Sequence, residues 1–154
     1  MSVHVTDDLP LHPSDAVAAI ILSNDEKYVL QLRDDKPGIF FPAHWGLFGG
    51  GIDEGESEEQ ALRRELHEEL GIAVFFLRHL MRFEFDLTSI RLGRFTRSFF
   101  EVSLTTETMN TIRLAEGQSL GLFSRAEVLE VFPVTPYDAF ALWWYTNQPR
   151  IKQQ

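Results

Sequence analysis

Residues 49–72 read GGGIDEGESEEQALRRELHEELGI, and the fold turns on how this stretch is read. Three glycines lead into a run of eight carboxylates and two arginines. Ser57 followed by Gln60 has the capping-box spacing, and Gly71 supplies a C-terminal stop, so a helix is predicted over 58–70. Like charges three and four residues apart destabilise a helix, so this one must be compensated by something.

The apolar stripe locates the acids. With Leu62 at zero and about 100° per residue, Leu66 and Leu70 fall at about +40° and +80°, and Ala61 at about −100°. Glu69 then lies at about −20°, Glu65 at about −60° and Glu68 at about −120°. A solvated charged face accounts for Glu58, Glu59 and Arg63. It does not account for Glu65 and Glu69, which fall between Ala61 and Leu62, beside the core. Carboxylates held there must be protonated, paired or metal-bound. Clustered hard oxygen ligands suit Mg²⁺ or Mn²⁺. Arg64 stands four residues before Glu68, a spacing that fits an ordinary surface ion pair and a clamp on metal ligands equally well. The preceding glycines read either as a flexible turn or as backbone able to approach a phosphate or metal closely.

Outward from the helix, short apolar runs at 16–22 and 27–32, split by Ser23-Asn24-Asp25-Glu26, predict a strand pair. DDKPGIFFPAH at 34–44 is a loop, and Trp45 to Phe48 is a short strand into the glycines. Phe-rich alternation predicts two strands at roughly 73–86 and 92–103. Ser124 with Glu127 opens a short helix, and Thr135-Pro136 opens another through YDAFALWWYTNQ. Strands around one central helix imply an α/β or α+β class with a mixed sheet.

The chain of 154 residues is expected to be a single domain, with 1–14 as an irregular N-terminal arm. A net charge of −9 argues against a nucleic acid polymer as partner while leaving room for a small phosphorylated ligand. With no cysteine, disulfides and thiolate metal sites are excluded. The opening MSVHVTDDLP lacks a basic segment followed by an apolar one, and no apolar run spans a bilayer. A cytoplasmic protein with no membrane partner is expected.

The stretch resembles the signature of the Nudix hydrolases, G-x5-E-x7-R-E-U-x-E-E-x-G-U with U a bulky aliphatic. Gly50, Glu56, Arg64, Glu65, Leu66, Glu68, Glu69, Gly71 and Ile72 fill every position. Seven specified residues would coincide by chance on the order of once in 10⁸ placements, which sets coincidence aside. The resemblance implies an α/β/α sandwich with the signature as loop–helix–loop. It also implies cleavage of a nucleoside diphosphate linked to another group, with Mg²⁺ or Mn²⁺. By position it makes Glu65, Glu68 and Glu69 the metal-binding and catalytic carboxylates, joined by the Gly50 carbonyl, with Glu65 the candidate base. Glu56 and Arg64 become a supporting pair that aims them.

Relatives often add a downstream loop acid, for which Glu116 is the candidate. Where they usually carry Pro-Gly-Gly, this chain has Phe48-Gly49-Gly50, so the pocket wall is expected to differ. The Pro and Tyr that accompany ADP-ribose and dinucleoside polyphosphate hydrolysis are missing around Asp86-Leu87-Thr88-Ser89-Ile90. Nucleoside triphosphates, including damaged ones, are therefore the expected small-molecule substrates, with nucleotide sugars as the alternative. A binding domain without turnover is the third reading, and such domains usually lose signature carboxylates. Arg33, Trp45 and Phe48 are candidate substrate contacts. A homodimer is possible, since similar proteins often form one.

Overall fold

The computed structural model describes residues 11–148. The arm expected over 1–14 lies outside the described residues up to position 10, and 11–15 have no regular structure. The elements run β1 (Ala16–Leu22), β2 (Tyr28–Leu32), β3 (Trp45–Gly46), β4 (Phe48–Gly51), α1 (Glu58–Leu70), β5 (Arg78–Asp86) and β6 (Arg94–Ser103). They continue with α2 (Thr106–Thr111), β7 (Ser119–Phe123), α3 (Arg125–Val128) and α4 (Pro136–Asn147).

All seven strands join one mixed sheet along the path β3-β2-β1-β6-β5, with β4 on β1 and β7 on β2. The β1–β6 pair is parallel, and the other named pairs are antiparallel. β1 sits at the centre and is apolar throughout because both its faces are covered. Val17, Ala19 and Ile21 pack toward Leu62, Leu66 and Leu70 of α1. Ala18, Ile20 and Leu22 pack on the opposite face, in the cluster that holds Val128 of α3 and Ala141 and Leu142 of α4. Two cores on one sheet make the α/β/α sandwich that the resemblance implied.

The region before α1 is subtler than the single strand read over 45–48. β1 pairs with β2 only at Ile21 and Leu22, and at 16–19 it pairs with β4 instead. The β2 partner beyond that point is β3. β3 and β4 thus fill the fork where β1 and β2 diverge, and Leu47 is the step between them. Its amide leaves the ladder and donates to Asp138 Oδ2 of α4 at 3.0 Å. A buried amide must find a partner, and this one finds it in another layer.

Downstream, residues 73–77 are irregular and β5 begins only at Arg78. Phe75 and Phe76, 90% and 78% exposed, fall within the strand expected at roughly 73–86 but have no sheet face to fill. α2 and β7 were not predicted. The former is a short six-residue helix capped by Thr105, whose side chain accepts from the Thr108 amide. The latter, SLGLF, carries too short an alternation to stand out.

Candidate active site

α1 is fixed at both ends as its sequence requires. Ser57 and Gln60 exchange both capping-box hydrogen bonds, and Gly71 closes the helix in the left-handed conformation. The angular reading of its face holds. Glu69 is buried at 4% exposure, Glu65 is half-buried, and Glu68 and His67 face outward.

β4 meets this helix through two glycines with different jobs. A Cβ on Gly49 would lie 2.1 Å from the Val17 carbonyl oxygen, so only glycine allows β4 to lie against β1 here. A Cβ on Gly50 would fall 2.5 Å from the Glu65 carboxyl carbon. The missing side chain therefore leaves room for the carboxylate itself. The Gly49 amide donates to Glu69 Oε2 at 3.0 Å and ties the helix to the strand.

Arg64 organises the acids. Its Nε and Nη2 donate to the two Glu56 oxygens at 2.7 and 2.9 Å, and Nη1 donates to Glu65 Oε1 at 2.7 Å. Nη2 also reaches the Gly51 carbonyl at 3.0 Å. The contact with Glu68 that spacing suggested is the longest of its hydrogen bonds, at 3.4 Å. Bidentate geometry favours Glu56, which spacing along the helix alone does not reveal.

The electrostatics are unbalanced. Arg64 hydrogen bonding holds Glu56 down at about 2. Burial pushes Glu69 up to about 8, and the carboxylates of Glu65 and Glu116 add to the rise. Burial also raises Glu65, against the pull of Arg64. Glu69 has no basic partner among the described residues. No three acidic or imidazole side chains among the described residues already enclose an ion-sized space. The donors nonetheless fit a divalent cation. They are hard oxygens, the gap over Glu65 is kept open by Gly50, and the local negative charge exceeds what Arg64 neutralises.

These groups form one end of a cleft of about 490 Å³, within the range of small-molecule sites. Gly49–Gly51, Glu65, Glu69 and Glu116 line the acidic end, so Glu116 shares the cleft with the helix acids. Arg33 also lines the cleft and donates through Nε to the Phe40 carbonyl at 3.0 Å. The other end is apolar, with Phe40, Phe41, Phe85, Phe95 and Tyr137. Phe41 and Ala43 take left-handed backbone (φ 48° and 55°), strain of the kind found where a loop is shaped for a ligand.

Two expected contacts are corrected. Phe48 is fully buried in the core under α1 and does not line the cleft. Trp45 lies edge-on to Phe123 on the other side of the fork, lining a separate groove. Both precede the glycines by only a few residues, but strand alternation and the break at Leu47 turn them away. Sequence reading missed Arg97, Tyr137 and Asp138. The signal was present, since Arg97 interrupts the apolar series Phe95, Phe99, and Asp138 sits in the otherwise apolar YDAFALWW.

A family model described as the NUDIX domain matches residues 12–150. A nucleoside triphosphatase NudI of Escherichia coli O139:H28 is 49% identical over 51 residues, 33% of this chain and 36% of that protein. The match thus spans about a third of the length of these curated relatives. Among solved structures, the MutT protein of Methanosarcina mazei superposes with a TM-score of 0.70 at 19% identity, covering 90% of this chain and 95% of that one. The E. coli ORF135 protein superposes at 0.68 with 27% identity, covering 90% and 94%.

Proposed function

The chain belongs to the NUDIX domain family, whose hydrolases generally depend on divalent metal, and on that premise we propose that it is a pyrophosphohydrolase of nucleoside triphosphates. The observation that carries this reading is one continuous cleft joining a cluster of under-neutralised carboxylates to a ring-lined recess. A nucleotide has the same polarity, anionic at one end and aromatic at the other.

Glu65, Glu68 and Glu69, with the Gly50 carbonyl, are the groups that would hold Mg²⁺ or Mn²⁺. The ion would supply positive charge to the diphosphate oxygens as their charge grows. The side chains of the protein do the rest. Arg64 fixes Glu65 from one side while Glu56 fixes Arg64, so the carboxylate keeps its second oxygen for chemistry. Burial raises the proton affinity of Glu65, which suits it to accept a proton from attacking water. Arg33 makes no ion pair among the described residues and is placed to contact phosphate. Phe40 and Phe41 wall the ring.

Turnover of dNTPs, modified NTPs and nucleotide sugars should be compared with Mg²⁺ and with Mn²⁺. Triphosphates are expected to yield monophosphate and pyrophosphate, and Glu65→Gln should abolish this while circular dichroism and melting stay native-like. Turnover confined to nucleotide sugars would move the assignment to that class. Tight binding with no turnover of any substrate would replace it with a binding role.

A further inference from the structure

The ring-lined end of the cleft holds an arginine that the hydrolytic machinery does not use. Arg97 projects from β6 with its side chain 16% exposed, and that remaining surface lies in the cleft lining. Its guanidinium carbon stands 4.1 Å from the Tyr137 ring centroid, in stacking contact, and 5.6 Å from that of Phe99. Nη2 donates to Asp138 Oδ1 at 3.2 Å. Asp138 is itself fixed, since its Oδ2 accepts from the Leu47 amide at 3.0 Å and the Thr135 hydroxyl at 2.6 Å. Of the five N–H donors of an arginine, the rest are unspent here. Nε is buried without a partner, and Nη1 makes no hydrogen bond among the described residues.

The charge of this arginine is already answered. It is taken up by the ion pair with Asp138 at 3.2 Å, so Arg97 offers hydrogen-bond donors with little net positive field. That differs from Arg33, which has no carboxylate partner among the described residues and suits an anion. A charge-compensated, donor-only, planar group beside aromatic rings suits the carbonyl edge of a heterocycle better than a phosphate. Two adjacent acceptors answer the guanidinium fork best, and the O6/N7 edge of a guanine-type ring presents them. Adenine places an amino donor where O6 would be.

We propose that Arg97, aimed by Asp138 and flattened on Tyr137, reads the base and selects a 6-oxopurine nucleotide. This rests on the nucleotide reading of the cleft but not on turnover, so the two are tested apart. The kcat/KM ratios of GTP and ITP to ATP, CTP and UTP should favour the oxopurines. Arg97→Lys keeps the charge beside Asp138 and removes the fork, and it should bring the GTP-to-ATP ratio down about 10- to 100-fold, the discrimination of one bidentate base contact. Arg97→Gln should do the same if it folds. Calorimetry of GMP and AMP binding to the metal-free protein should show the same preference and the same loss.

A wild-type preference for ATP, CTP or UTP, or an Arg97→Lys variant that weakens all nucleotides equally, would overturn the assignment. If nothing is hydrolysed but GMP still binds better than AMP through Arg97, the hydrolase reading fails and the base reader stands.

Discussion

Replacing Glu69 by glutamine should make the metal-free protein more stable at pH 8. Glu69 is 4% exposed, and burial raises its pKa from an ordinary 4.5 to about 8. Between those values the unfolded chain has released a proton that the folded protein keeps. Each rise in pH therefore favours unfolding. At about 1.4 kcal/mol per pH unit, the interval gives an upper bound of about 4–5 kcal/mol. Glutamine removes this penalty and retains an acceptor for the Gly49 amide. It also brings an amide donor whose burial without a partner costs about 1–2 kcal/mol.

The net gain at pH 8 is then at most about 2–4 kcal/mol, raising the melting temperature by up to roughly 5–15 °C for a chain of this size. At pH 5 the advantage should vanish or reverse. Paired thermal melts of wild type and Glu69→Gln in EDTA across pH 5–8 measure it, and added Mg²⁺ should then stabilise the wild type more than the variant. A variant that is less stable than wild type at pH 8, or a difference that does not change with pH, would refute the reasoning.

The two glycines should separate folding from chemistry. Gly49→Ala forces a Cβ onto the Val17 backbone and should destabilise by about 3 kcal/mol or more in denaturant titration. Gly50→Ala meets only the movable end of Glu65, so it should fold but lose turnover by more than about 10-fold in steady-state assay. On the acid side, Glu56 is held at about 2, so its stabilising ion pair is complete above pH 4.5 and lost as the pH falls toward 2. Glu56→Gln should flatten that part of an acid-unfolding curve followed by circular dichroism. Glu116→Gln should lower kcat about 10-fold or more without shifting the melting temperature, because Glu116 is exposed in the cleft lining.

What could be read in the sequence followed from periodicity and local chemistry. The capping box, the leucine stripe and the Gly71 stop specify α1, and with its pitch known, the inward lean of Glu65 and Glu69 follows. The alternation in RFTRSFFEV specifies β6. What escaped depended on contacts distant in sequence. Nothing local says that β1 and β2 diverge, so the break at Leu47 and the turning away of Trp45 and Phe48 were hidden. The pairing of Arg64 with Glu56, across eight residues and a loop, came from the family resemblance and not from periodicity. Arg97 and Asp138 lie 41 residues apart and meet only through the fold.

The Asp138 carboxylate, bound at once to α4, to the step between β3 and β4, and to β6, bears on how such a protein can diverge. Altering Arg97 alone to accommodate another base would strand a buried charge, and breaking such a pair costs about 3–5 kcal/mol, a large part of the stability of a typical domain. A descendant with a different base preference therefore has to change both residues, or gain stability elsewhere first. The amide of Leu47 adds a further constraint, because whatever replaces Asp138 must still accept its hydrogen bond. Change at the reading end of the cleft is thus slowed by a residue that never touches the ligand.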